Sequence, residues 1–199
     1  MERRTQAERR AATRQALIDA AGELLVEQGW AHATSVAVCA RAGLTRGAFA
    51  HHFAGLGELF AAVLEDRYQA IATDVDAKAA STAIVELIEG SWAMMGNPGF
   101  KVVLEAWLAR ANDRELARML DPVIENFSKL FGPDRWPELL GDDAARAFFL
   151  AARESLLGLA WGRAVNGGHS LAHEEVVLDH LMTIARTHDA RLGHPGGQP

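Results

Sequence analysis

Apolar side chains recur along this chain at three- and four-residue spacing and almost nowhere at two. Leu17, Ala20, Ala21, Leu24 and Leu25 line one side of a helix predicted over residues 12–28, leaving Arg14, Asp19, Glu23 and Glu27 to solvent. Gly29 closes it, and Trp30 is expected to fold back over its last turn. After two short helices, Gly55 and Gly57 interrupt the pattern before a longer helix over 58–78. Five more are expected, over 82–95, 100–111, 113–131, 142–165 and 172–188. Pro122 should kink or split the third of these, and Pro133 and Pro137 mark an irregular link around Trp136. Residues 193–199 are expected to be disordered. The expected fold is all-α, with about nine helices and no repeat.

The two short helices carry the most information. In TSVAVCARAGLTRGAFAHHF, residues 34–53, Thr34 or Ser35 can cap the first. Its expected apolar positions are Val36, Cys39 and Ala40, with Val38 on a flank. Gly43 can take the positive φ of a helix end, and Thr45 caps a second helix running into His51, His52 and Phe53. This is the layout of a helix-turn-helix, a device for pushing side chains into the DNA major groove. Leu44, Phe49 and Phe53 face inward on this reading. Thr45, Arg46, Gly47, Ala48, His51 and His52 face out. Arg46 is the candidate for guanine, since its fork matches that base bidentately. Small Gly47 and Ala48 permit close approach, with the Ala48 methyl available to thymine. Free amides near Thr45 suit a phosphate.

Charge sharpens this picture. The net charge of −6 divides into +2 over residues 1–53 and −8 over the remainder. Arg3, Arg4, Arg9, Arg10 and Arg14 crowd the first fourteen residues, so only the N-terminal part suits a polyanion. The first eight residues alone read as a solvated tail. A lone Cys39 makes a reducing cytoplasm the default, the charged N-terminus does not look like a secretory signal, and no apolar run reaches bilayer length. A soluble cytoplasmic protein without membrane contact is expected.

The N-terminal third resembles the TetR/AcrR family of transcriptional regulators. The resemblance rests on Thr13-Arg14, Leu17, Ala20, Leu24-Leu25, Gly29-Trp30, Thr34, Val38, the run from Ala42 to Phe49, His52-Phe53 and Leu59, without a gap. It implies a three-helix DNA-binding head, residues 1–56 with the motif at 34–53. It further implies a connecting helix, 57–78, and a helical effector-binding and dimerisation domain, 79–192. By the same resemblance His52 and Thr34 bind backbone phosphate, and His51 is a second contact. Two departures stand out: Ala50 where the family has Tyr, and Leu56 where it has Lys, both phosphate contacts. Gly55 and Gly57 also replace a polar cap and an acid. Either the arginine-rich arm compensates or operator binding is weak.

Competing chemistry is thin. His51 and His52 point about 100° apart on a helix and have no Cys, Asp or Glu partner at ligand spacing, so no metal is expected. Cys39 reads as core filler. His169, His173, His180 and His188 are scattered. No nucleophile elbow, phosphate loop or Cys/His pair appears, so neither catalysis nor a cofactor is expected. The C-terminal region is rich in large apolar residues, from which an effector pocket would draw Trp92, Met95, Trp107, Phe127 and Phe149, with Glu105, Asn126 and Glu154 as polar groups. Small Ala144, Ala151, Gly158 and Gly162 in the penultimate helix, with Val176, Val177, Leu181 and Ile184 in the last, suit a homodimer interface through the last two helices. The expected function is a ligand-responsive repressor on a palindromic operator, released by a small apolar or aromatic effector. The alternatives are a TetR-like dimer with weak or lost DNA binding, an activator, and a small helical enzyme.

Overall fold

In the computed structural model, which describes residues 5–77, 82–130 and 132–195, the first helix starts earlier than its apolar pattern. Helix α1 spans Gln6–Gln28 because Thr5 and Glu8 form a reciprocal capping box: Thr5 Oγ1 accepts the Glu8 amide, and Glu8 Oε2 accepts the Thr5 amide at 2.7 Å. Arg9, Arg10 and Arg14 therefore sit on a rigid helix, not on a tail. Arg3 and Arg4 lie outside the described residues. Gly29, at φ 76°, ends α1, and a 3-10 turn at Trp30–His32 follows.

Helix α2 is Ser35–Ala42 and α3 is Arg46–His52, separated by Gly43 in the left-handed region. Helix α4 runs Leu56–Ala77, so Gly57 lies inside its first turn instead of breaking the chain. Helices α5 (Ile84–Met95), α6 (Lys101–Asn112), α7 (Arg114–Leu130), α9 (Asp143–Val165) and α10 (Glu174–Leu192) follow the predicted order. Pro122 does not split α7, which continues through it. The link around Trp136 is more ordered than its prolines suggest: a 3-10 turn at Pro133–Arg135, then the short helix α8, Pro137–Leu140. Ten α-helices and no strand occur among the described residues. Gly193 caps α10 and His194 reaches back to Asp189 at 3.0 Å, so these two residues are ordered, contrary to the expectation of a disordered tail from 193. Lys78, Phe131 and residues 196–199 lie outside the described residues.

The chain divides into two compact units, residues 1–69 with 102–126, and residues 70–101 with 127–199. This differs from the contiguous partition at 56 and 78, because α6 and most of α7 group with the N-terminal helices. In the first unit, α1, α2 and α3 pack around Leu17, Leu25, Val38, Phe53 and Leu59, all almost fully buried. In the second, α5 packs against α9 and α10, and Leu156, Ile84 and Ile88 are sealed from solvent. No single helix among the described residues is long and apolar enough to cross a membrane.

Candidate nucleic-acid interface

The exposed face of α3 owes its shape to two rings on its other side. Phe49 and Phe53 are buried, 6.0 Å apart, with Leu44 packed against the same core. Thr45 caps the helix, its hydroxyl oxygen accepting the Ala48 amide at 3.1 Å. Thr34 does the same for α2, accepting the Ala37 amide at 3.2 Å. Each hydroxyl oxygen accepts in its cap, and its O–H remains able to donate a hydrogen bond to an anion oxygen. Arg46, Gly47 and His51 are exposed, and Ala48 and His52 are half-buried. All seven residues named from sequence thus sit on α3 or at the two caps, on the outside of one small unit.

Sequence periodicity misplaced the inward face of α2. Val38 and Cys39 are buried, whereas Val36 is 59% exposed and Ala40 is exposed. The core sees only one narrow stripe of so short a helix. Cys39 packs toward α3, its thiol donating to the Thr45 carbonyl at 3.7 Å. Arg41 is held by α1, 2.6 Å from Glu27 and 3.3 Å from Glu23. Helical spacing of 100° per residue puts Val36 and Ala40 on the flank of α2 turned away from Arg41 and α1. Arg41 is also removed from the free cationic charge, since its guanidinium draws the Glu27 carboxyl below its usual range.

Arginines of α1 take up that role. Arg14 stacks over the Phe53 ring, 5.0 Å from its centre. His52 has its pKa lowered, first by burial and then by the charges of His51, Arg10 and Arg14. The Arg10 and Arg14 guanidiniums, close enough to depress a histidine, form one positive patch beside the end of α3. Ala50 is exposed and Leu56 packs into the head core, so neither offers a phosphate contact.

The expected pocket residues are divided between the two units. Glu105, Trp107 and Asn126 belong to the first unit, and Trp92, Met95, Phe127, Phe149 and Glu154 to the second. Glu105 accepts the Trp30 amide at 2.7 Å, and the Trp107 indole N–H donates to the Tyr68 hydroxyl at 3.2 Å. Asn126 is exposed, and Glu154 is exposed beside Arg153 at 2.8 Å. Trp92 lies under the Arg163 guanidinium at 4.7 Å, while Met95, Phe127 and Phe149 are buried. A group missed from sequence is Trp136. Its ring is buried 6.0 Å from Phe149, and its indole N–H finds no acceptor among the described residues. Only an inventory of hydrogen bonds reveals such a donor. No group of three potential metal ligands occurs among the described residues.

The comparisons agree with this geometry. The model of the family described as bacterial regulatory proteins, tetR family, matches residues 17–63. Over 74 residues, 37% of this chain, the sequence is 45% identical to two regulators from Pseudomonas putida, covering 54% of the uncharacterized HTH-type transcriptional regulator TtgW and 34% of the HTH-type transcriptional regulator SrpR. The match thus spans about half and a third of those relatives. Among solved structures, the multidrug binding protein EbrR, complexed with imidazole, is similar over 86% of this chain and 94% of its own, with TM-score 0.63 and 23% identity. A TetR-family member from Streptomyces coelicolor A3, SCO1917, is similar over 87% and 98%, with TM-score 0.65 and 23% identity.

Proposed function

We propose that this chain is a TetR-family, ligand-responsive transcriptional repressor that binds a palindromic operator as a homodimer. One observation carries the reading: Arg46 stands exposed on a rod whose opposite side is fixed by buried Phe49 and Phe53. Arg46 reads guanine, and Ala48 and Val36 touch thymine methyls. Thr34, Thr45, His51 and His52, with Arg10 and Arg14, hold phosphates. The family works as DNA-binding regulators, not as enzymes, and no catalytic role is assigned.

Dimerisation through α9 and α10 is supported by what these helices leave uncovered. Ala144, Ala147, Ala151, Ser155 and Gly158 form an exposed small-residue stripe along α9, and Val176 of α10 is 71% exposed. A two-fold pairing of that stripe would give the dimer two copies of α3, and a palindromic operator presents its half-sites about 34 Å apart, one turn of DNA. In the second unit, the unpaired Trp136 indole N–H beside Phe149 supports binding of a small aromatic or apolar effector carrying one acceptor. Such an effector shifts DNA binding only as far as it prefers the non-binding conformation.

Selection of bound sequences from a random DNA pool, repeated with aromatic effectors, tests the reading. The expected product is a two-fold symmetric site lost on adding an effector. A pool with no enriched sequence overturns it and favours an effector-binding dimer with weak DNA affinity, the reading that exposed Ala50 and packed Leu56 support.

A further inference from the structure

Within the first unit a groove of about 660 Å³ opens where the start of α4 meets the turn between α6 and α7. Its walls are Trp30, Leu56, Phe60, Leu116 and Met119. The Trp30 and Phe60 rings lie with centres 4.3 Å apart, tilted 44° to each other, and Glu105 holds the Trp30 backbone amide. Met119 is a large apolar side chain left 38% exposed, and it lies over the bare backbone of Gly57, where a Cβ would meet its sulfur at 2.6 Å. The volume is that of a small-molecule site, and its surface is mostly apolar and aromatic.

The polar part of the lining has one sign. Glu58, Asp113 and Glu115 border the groove, and among the described residues no Lys, Arg or His does. Glu58 accepts the Ala54 amide through Oε2 at 2.7 Å, and Asp113 accepts the Glu115 and Leu116 amides through Oδ1 at 2.9 and 3.0 Å. Capping of this kind fixes the Glu58 and Asp113 carboxylates in place without neutralising their charge. An anion is excluded by charge. A hydrated metal ion gains nothing from two aromatic rings, and no three-ligand metal group occurs here among the described residues. An aromatic body bearing a diffuse positive charge satisfies both halves of the lining, through ring contact and cation–π attraction on one side and carboxylates on the other.

We propose that this groove, framed by Trp30, Phe60 and Met119 and edged by Glu58, Asp113 and Glu115, is a binding site for a lipophilic organic cation. The site is separate from the effector region inferred in the second unit. It touches the first turn of α4, four residues beyond the end of α3.

Tetraphenylphosphonium and tetraphenylborate share one shape and carry opposite charges, so together they separate shape from charge. Each is titrated into the full chain without DNA, by calorimetry and tryptophan fluorescence, so that failure here leaves the DNA-binding reading untouched. Tetraphenylphosphonium is expected to bind at least about tenfold more tightly than tetraphenylborate. Glu115→Gln should weaken it severalfold, and Met119→Arg, which places a cation in the groove, by about tenfold or more. Leu108→Arg, an exposed apolar position outside the groove, should leave it unchanged. Equal binding of the two ions overturns the proposal, as does no binding by roughly 1 mM. Phosphonium binding indifferent to both Glu115→Gln and Met119→Arg also overturns it.

Discussion

The Glu105 carboxylate accepts the backbone N–H of Trp30 at 2.7 Å, joining α6 to the turn that closes α1 across 75 residues of sequence. That amide follows Gly29, whose φ of 76° is open to glycine, and a Cβ at Gly29 would come within 3.2 Å of Glu105 Oε1. The contact replaces a helix-end hydrogen bond that α1 itself no longer supplies.

Removing the acceptor should be costly. Glu105→Ala is expected to destabilise the fold by about 1–3 kcal/mol, because a partly buried amide loses its partner. Glu105→Gln, which keeps a carbonyl in place, should recover most of it. Urea unfolding monitored by tryptophan fluorescence decides, and equal midpoints for Glu105→Ala and wild type would show that the bond contributes nothing.

Base readout should depend on Arg46 and, more weakly, on Val36. Arg46→Ala is expected to lose about 1–3 kcal/mol of preference at one guanine while its circular dichroism and oligomeric state stay unchanged. Val36→Ser should relax one A·T position by roughly 1 kcal/mol. Competition assays with single-base operator variants measure both, and undiminished discrimination by Arg46→Ala would refute its role.

Arg10 and Arg14 should act through charge alone. Replacing either by Ala is expected to weaken binding to all sequences alike and to reduce the slope of log affinity against log salt by about one. Arg14→Lys keeps the charge but loses the guanidinium over Phe53, so it should retain the slope. A slope unaltered in Arg10→Ala and Arg14→Ala would place both side chains away from phosphate.

The lowered pKa of His52 gives a signed pH dependence. In the free protein burial, and then the neighbouring His51, Arg10 and Arg14, disfavour its protonation. A bound phosphate reverses that preference, so association takes up a proton and strengthens as pH falls between the bound and free values. Folding responds oppositely: stability tied to neutral His52 is present above about pH 6.5 and declines as pH falls through its lowered value. Affinity measured from pH 8 to pH 6 should rise for wild type and stay flatter for His52→Gln.

In the second unit, Asp142 caps α9 by accepting the Ala145 amide at 2.9 Å and pairs with Arg191 of α10. Arg191 and that amide hold its pKa down to about 2. The stability it contributes is therefore present above the ordinary carboxylate pKa, near 4, and disappears as pH falls toward 2. Asp142→Asn keeps a capping oxygen and loses the charge. Its acid unfolding curve should lack the part of the wild-type slope between those values.

Local rules determined much of this protein. The helical spacing of Leu17, Leu24 and Leu25, the caps at Thr34 and Thr45 and the left-handed Gly43 each act over no more than about two helical turns of chain, so the linear pattern specifies the head and the outward position of Arg46. The capping box at Thr5 and Glu8 obeys the same rules, but charged Arg9 and Arg10 obscure it as a helix start. What tertiary structure alone decided are groups joined across long stretches of chain. Buried Asp189 accepts the Ile84 and Val85 amides at 2.7 and 3.0 Å, capping α5 from more than a hundred residues away. Likewise Glu105 serves Trp30, Arg14 covers Phe53, and Val36 points outward from a helix too short for its periodicity to choose a face. Hydrogen bonding and burial depend on which atoms meet in space, and for these residues the meeting is arranged only once distant helices have packed.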